Sequence, residues 1–228
     1  MENAMAKATE IQLDETGDED TLADAALEKI IALIKNGDLQ PGGVVNETDL
    51  AKRWGMSRGP VREAVRRLEG RKLIVREAYQ RARVTKLDLR QIKEIFELRE
   101  CLEGMACRLA TQRMSDSGLA ALSEQVDRSG ERGLSEATFT ADFKFSFHLS
   151  VVLGCENSRI QSVLTTEVYD LVRLYRWSSS AVPGRDGLAQ KEHWQICRAM
   201  AARDEDLAES LMRSHVQRSM QLFSINGL

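Results

Sequence analysis

Residues 46–73 read NETDLAKRWGMSRGPVREAVRRLEGRKL, and this stretch decides the fold. It predicts two short helices joined by a tight turn. Leu50, Ala51 and Trp54 recur at helical spacing, Gly55 breaks the pattern, and Ser57 restarts it. Ser57 is a suitable N-cap, because its hydroxyl can accept from free N–H groups of the next turn. Pro60 is tolerated there, since a first turn needs no N–H from it. Val61, Ala64, Val65 and Leu68 form one apolar stripe, and Arg58, Arg62, Arg66 and Arg67 leave it toward solvent. A basic run alone reads as a solvated face. The turn glycine, the cap and the proline point instead to a helix-turn-helix, whose second helix presents its first residues to base edges and phosphates.

The flanking residues extend the pattern. Leu22, Ala26, Ile30, Leu33 and Ile34 predict an amphipathic supporting helix over 22–35, stopped by Asn36-Gly37. Pro41-Gly42-Gly43 makes a turn. Leu73-Ile74-Val75 and Ala82-Arg83-Val84 predict a small hairpin around Glu77 to Arg81. The segment QPGGVVNETDLAKRWGMSRGPVREAVRRLEGRKLI resembles the winged helix-turn-helix of the GntR family of bacterial transcription regulators over roughly residues 22–86. The resemblance implies a DNA contact through Ser57, Arg58, Gly59, Pro60, Arg62 and Arg66. Arg58 and Arg62 would be the main base readers, with Thr48 and the wing residue Arg81 on the backbone. Family wings commonly carry a glycine near the tip, where this chain has Arg81.

Charge patterning supports the same division. Residues 1–20 hold one Lys against seven acids, and residues 21–86 hold fourteen basic residues against eight acids. The net charge of -3 conceals this basic segment, the electrostatic footprint of a nucleic-acid module. We therefore expect a disordered acidic tail over 1–20, a winged helix-turn-helix over 21–86, and a third region over 87–228. No run is apolar enough to span a membrane and the N-terminal segment is not apolar in the manner of a signal, so the expected location is cytoplasmic. The four cysteines show no C-x-x-C spacing and read as small buried residues.

After Asp88 nearly everything has a helical period. Helices are expected over 89–114, 118–128, 138–153, 159–178, 188–202 and 205–223, with a loop at 183–187. On the first of them Ile92, Ile95, Phe96, Leu98, Leu102, Met105, Ala106 and Leu109 make the expected buried side. The fold class is thus mainly α: a winged helix-turn-helix followed by an all-helical antiparallel bundle. No glycine-rich phosphate loop appears, which argues against nucleotide chemistry.

The chain has three histidines, His148, His193 and His215, each on a different C-terminal helix. Imidazoles projecting inward from facing helices can make a metal site. ECLEGMACRLA, FSFHLSVVLGCEN and EHWQICRAMAARDEDLAESLMRSH resemble the FCD effector domain of the FadR-like branch, in its six-helix, VanR-like form. The resemblance implies a divalent metal (zinc, nickel or manganese) on these three histidines and a carboxylate one turn before the first. That position is Lys144. Asp142 lies about 120° off the His148 face and substitutes poorly. Two outcomes stay open: a three-histidine site completed by an effector carboxylate, or a metal-free cavity in which Lys144 and the histidines bind an anion. Arg99, Asn157 and Arg173 join the same effector set by resemblance, with a structural role open for the last two.

These features predict a ligand-responsive transcription regulator, most simply a repressor. It would bind a palindromic double-stranded DNA operator as a homodimer, under control of a small organic acid. An alternative is a metal-dependent hydrolase with an accessory DNA-binding domain, because three histidines with an open position can activate water. No well-placed carboxylate base supports that alternative, so no enzyme is expected. A third possibility is an architectural DNA binder without an effector.

Overall fold

The computed structural model describes residues 15–131, 141–178 and 185–225. The chain is mainly α, with a winged helix-turn-helix followed by a helical bundle. Helix α1 (Glu15–Lys35) begins seven residues before the expected start, so the acidic segment from Glu15 is helical rather than disordered. Residues 1–14 of the expected tail lie outside the described residues. On α1 the buried series is Ala23, Ala26, Ile30, Leu33 and Ile34, and Leu22 is exposed. Ala23 thus replaces Leu22 in the core register.

Helix α2 (Glu47–Trp54) starts at Asn46, whose side chain accepts from the Thr48 and Asp49 amides. It ends at Gly55, which takes the left-handed conformation at φ 63° and closes the turn through its amide. Helix α3 (Arg58–Gly70) buries Val61, Ala64, Val65 and Leu68 completely, as their spacing requires. Ser57 occupies the N-cap backbone geometry but makes no side-chain capping bond, contrary to the expectation. Arg67 is only partly exposed: it pairs with Glu63 and with Asp24 of α1.

The wing is a two-stranded antiparallel hairpin, β1 (Ile74–Val75) and β2 (Arg83–Val84), with Val44 bridging to Arg83. Its tip needs one left-handed residue, and that residue is Tyr79 at φ 65°, not Arg81. These elements enclose one apolar cluster, to which Leu174 from the C-terminal part also belongs.

Asp88 opens the bundle with a reciprocal capping box. Its carboxylate accepts from the Gln91 amide at 2.8 Å, and the Gln91 side chain accepts from the Asp88 amide at 3.0 Å. The bundle consists of α4 (Leu89–Arg113), α5 (Asp116–Glu131), α6 (Ala141–Gly154), α7 (Ser158–Val163), α8 (Tyr169–Ser178), α9 (Arg185–Ala201) and α10 (Glu205–Ile225). Three expectations change. The fourth expected helix is interrupted by a π-helical turn at Leu164–Val168. The expected loop at 183–187 is helical from Arg185. Leu98 and Met105 on α4 are exposed, because α4 turns its Phe96, Arg99, Glu103, Ala106 and Cys107 face inward. Helix α4 lies along α10, and a Cβ at Gly104 would collide with the Arg213 side chain, so glycine permits the close approach. Cys107, Cys155 and Cys197 are buried, whereas Cys101 is exposed, against the expectation for all four.

Candidate functional site

The first site is the surface of α3. Ser57, Arg58, Gly59, Arg62 and Arg66 are exposed at its start, as are Thr48 on α2 and Arg81 on the wing. Pro60 is buried, so it shapes the first turn instead of presenting a side chain. Arg58 and Arg62 pair with no described residue. Arg66 is held by Glu63 through two bonds of 2.7 Å. Arg66 and then Arg67 hold the Glu63 carboxyl down at about 2. Gly59, Pro60, Arg62, Glu63, Arg66 and Glu69 line one wall of a groove that Glu47 and Arg76 close. Arg76 reaches Glu47 of α2 at 2.7 Å and Glu69 of α3 at 2.8 Å. It ties the wing base to both helices of the motif. Sequence reasoning missed it, since its two partners are 29 and 7 residues away.

The second site lies inside the bundle. His148 on α6, His193 on α9 and His215 on α10 are 5, 6 and 3% exposed. Their Nε2 atoms converge: His193 to His215 at 3.2 Å and His215 to His148 at 3.3 Å. Two of the outer nitrogens face carboxylates. His148 Nδ1 lies 2.8 Å from Glu103, and His215 Nδ1 lies 2.6 Å from Glu192. A carboxylate at Nδ1 keeps the ring proton there and leaves the Nε2 lone pair pointing inward. Burial lowers the His215 pKa to about 4, with the nearby His148 charge adding to it against the pull of Glu192. With the protons held at Nδ1, His148 and His215 present lone pairs to each other at 3.3 Å, an arrangement that a cation between them would satisfy. Zinc at about 2.0–2.1 Å from each nitrogen requires ligand separations of roughly 3.3 Å in a tetrahedron, so the donor set fits.

Glu103 is the organising acid of this site. It accepts from Arg99 at 2.7 and 3.3 Å, and the Arg99 guanidinium lies 5.0 Å over the Phe96 ring. Burial alone would raise the Glu103 pKa; the charges of Arg99 and His148 overcome it and hold the group well below the carboxylate range. Burial and then the Glu103 charge push the Tyr169 phenol well up, so it stays protonated against that carboxylate. Neither glutamate belongs to the expected site. Glu103 closes the run RECLE at 99–103, and Glu192 precedes His193 yet serves His215, a contact that sequence adjacency hides.

The remaining expected residues divide. Arg99 is in the site but is engaged with Glu103. Arg173 lies 3.7 Å from Asp170 on α8. Asn157 caps α7, accepting from the Arg159 and Ile160 amides. The side chains of Lys144 and Asp142 lie outside the described residues.

Residues 22–84 match the model described as bacterial regulatory proteins, gntR family, and residues 94–218 match the FCD domain. The chain belongs to the GntR family. The regulator is 30% identical over 201 residues to a protein of Paenarthrobacter nicotinovorans described as a probable D-xylose utilization operon transcriptional repressor. That match covers 86% of each chain. It is 28% identical to the HTH-type transcriptional repressor GlaR of Escherichia coli, over 80% of this chain and 87% of that one. In fold it resembles E. coli McbR/YncC with a TM-score of 0.72 at 22% identity, over 90% of this chain and 98% of that one. The regulator is therefore a DNA-binding transcription regulator with a C-terminal effector-binding domain. No helix among its described residues is long and apolar enough to cross a membrane.

Proposed function

We propose that this GntR regulator is a repressor that binds a palindromic operator as a homodimer and answers a small organic acid held in the bundle. Its division is a DNA-binding unit over 21–86 and an effector unit over 87–228. The reading rests above all on Arg58 and Arg62, which stand exposed and uncommitted at the start of α3. Free guanidinium forks there suit bidentate contacts to guanine. Arg66 starts from an ion pair with Glu63 and serves as a backbone contact beside Thr48, Ser57, Gly59 and Arg81.

His148, His193 and His215 hold a divalent metal in this reading, zinc, nickel or manganese. Such a cation supplies a coordination position for a carboxylate. Arg99 supplies positive charge behind it through Glu103 and His148, and binding shifts the population of dimers able to span two half-sites. The hydrolase alternative is weaker: Glu103 and Glu192 both face outer imidazole nitrogens, where neither can take a proton from water at the Nε2 face.

The deciding experiment is footprinting with Arg58→Ala and Arg62→Ala. Each variant loses specific protection while sedimenting as wild type. Footprints unchanged in both variants would refute the assignment. Elemental analysis of untagged protein, purified without chelator, then tests the metal. Near one metal ion per chain supports the three-histidine site. None after incubation with excess zinc removes it and leaves a directly bound anion.

A further inference from the structure

Two adjacent residues of α8 serve different halves of the molecule. Tyr169 is 3% exposed, and its hydroxyl interacts with Glu103, the carboxylate that also holds His148 and Arg99. Asp170, also 3% exposed, accepts from Arg71 Nε at 2.6 Å and Nη2 at 3.0 Å. Arg71 is the residue that caps the end of α3, the helix carrying Arg58 and Arg62. Further along α8, Leu174 is 2% exposed and packs in the N-terminal apolar cluster.

We propose that α8 is the element through which the histidine site sets the placement of the DNA-reading helix, with Arg71 and Asp170 as the positioning pair and Tyr169 as its link to Glu103. This rests on the reading of the bundle as the effector site. A buried carboxylate cannot release its cation without a replacement, since an uncompensated buried charge is strongly unfavourable. Asp170 has a second cation within reach, Arg173 at 3.7 Å on its own helix. Asp170 is thus shared between a cation on α3 and one on α8, and closing up on Arg173 would give it a second arrangement within α8 when Arg71 leaves. That is the discrete behaviour that a switching contact requires.

The turn before α8 gives it room to move between them. Leu164–Val168 is π-helical, and the hydroxyls of Thr165 and Thr166 donate to carbonyls four residues back. A π turn takes in one extra residue, so the helix beyond it is rotated by about 100° relative to an unbroken α-helix. That rotation places Tyr169 on the Glu103 side and Asp170 on the Arg71 side. Recovery of the α-helical register would turn both residues away from their partners at once.

A double-mutant cycle tests this on the full chain, in EDTA so that metal plays no part. The probe is a duplex selected from random sequence by the wild-type protein, and the readout is its Kd by fluorescence anisotropy. Tyr169→Phe removes one hydroxyl far from the DNA surface. We expect it to change Kd by about fivefold or more when Arg71 is present. In the Arg71→Ala background it should change Kd by less than about twofold. Arg71→Lys, which keeps the charge but not the paired bonds, should give an intermediate response. An unchanged Kd for Tyr169→Phe, or equal shifts in both backgrounds, overturns the proposal, because a merely structural Arg71 gives additive effects. If Arg71→Ala does not melt cooperatively, Asp170→Asn takes its place in the cycle. Failure of the wild type to select any duplex would sink the DNA-binding reading itself. Normal selection with additive effects sinks only the coupling.

Discussion

At the residue scale, the carboxylates behind the histidines matter as much as the histidines. Glu103 lies 2.8 Å from His148 Nδ1, where a carboxylate favours the proton, and is itself held by Arg99. Glu103→Gln should therefore weaken zinc binding by about 10–100-fold without removing a ligand, measured by competition with a chromophoric chelator. A change below that range would mean the three rings are oriented by packing alone. The thiols give a second test. Burial pushes the Cys197 thiol up to about 12 and the Cys107 thiol higher still. Cys101 is exposed. One thiol per native chain should titrate quickly with a disulfide reagent at pH 8, and the other three only after unfolding. The raised values also set the sign for stability. The folded state keeps protons that the unfolded chain releases above about pH 8.5. The contribution is complete below that pH and is lost as pH rises toward 12. Denaturation midpoints measured from pH 8 to 10.5 should fall, and Cys197→Ala should flatten the fall.

At the element scale, the helix starts carry separable roles. The family resemblance puts Asn157 near the effector, yet its side chain caps α7. Asn157→Ala should cost about 1 kcal/mol in chemical denaturation, and Asn157→Ser should keep most of the stability. If both variants instead lose response to an effector at unchanged stability, the cap is secondary. Ser57 shows the reverse case. It holds the cap position without the capping bond, which leaves its hydroxyl available to a phosphate. Both outcomes come from local backbone geometry that a residue type alone does not reveal.

At the scale of the whole molecule, the two halves share side chains. Leu174 belongs by sequence to the bundle and by packing to the N-terminal cluster. Leu174→Ala should destabilise the N-terminal half by about 2–5 kcal/mol, seen as faster hydrogen exchange at Ile30, Val65 and Leu68. Exchange that changes only in α8 would show that the contact carries no stability. In solution the regulator should sediment at twice its 25.6 kDa chain mass. Operator affinity should fall steeply with salt, as expected when several phosphates are neutralised together.

Much of this protein is legible in its sequence because much of it is local. The Leu50–Leu68 pattern and the Gly55 turn specify the helix-turn-helix with contacts fewer than twenty residues apart. The three histidines stand out because no others exist in the chain. Their partners are not legible in the same way. Glu103 meets His148, Glu192 meets His215, and Arg71 meets Asp170 across separations of 45, 23 and 99 residues. An acid on an amphipathic helix looks the same to a periodicity argument whether it faces water or a buried imidazole. The π turn before α8 is equally invisible, since one extra residue in a turn leaves composition and spacing nearly unchanged. Short-range spacing and charge determined the fold and the exposed basic start of α3. Only the packing of helices distant in sequence decided which charges are buried together, and hence how the histidine site and the recognition helix are joined.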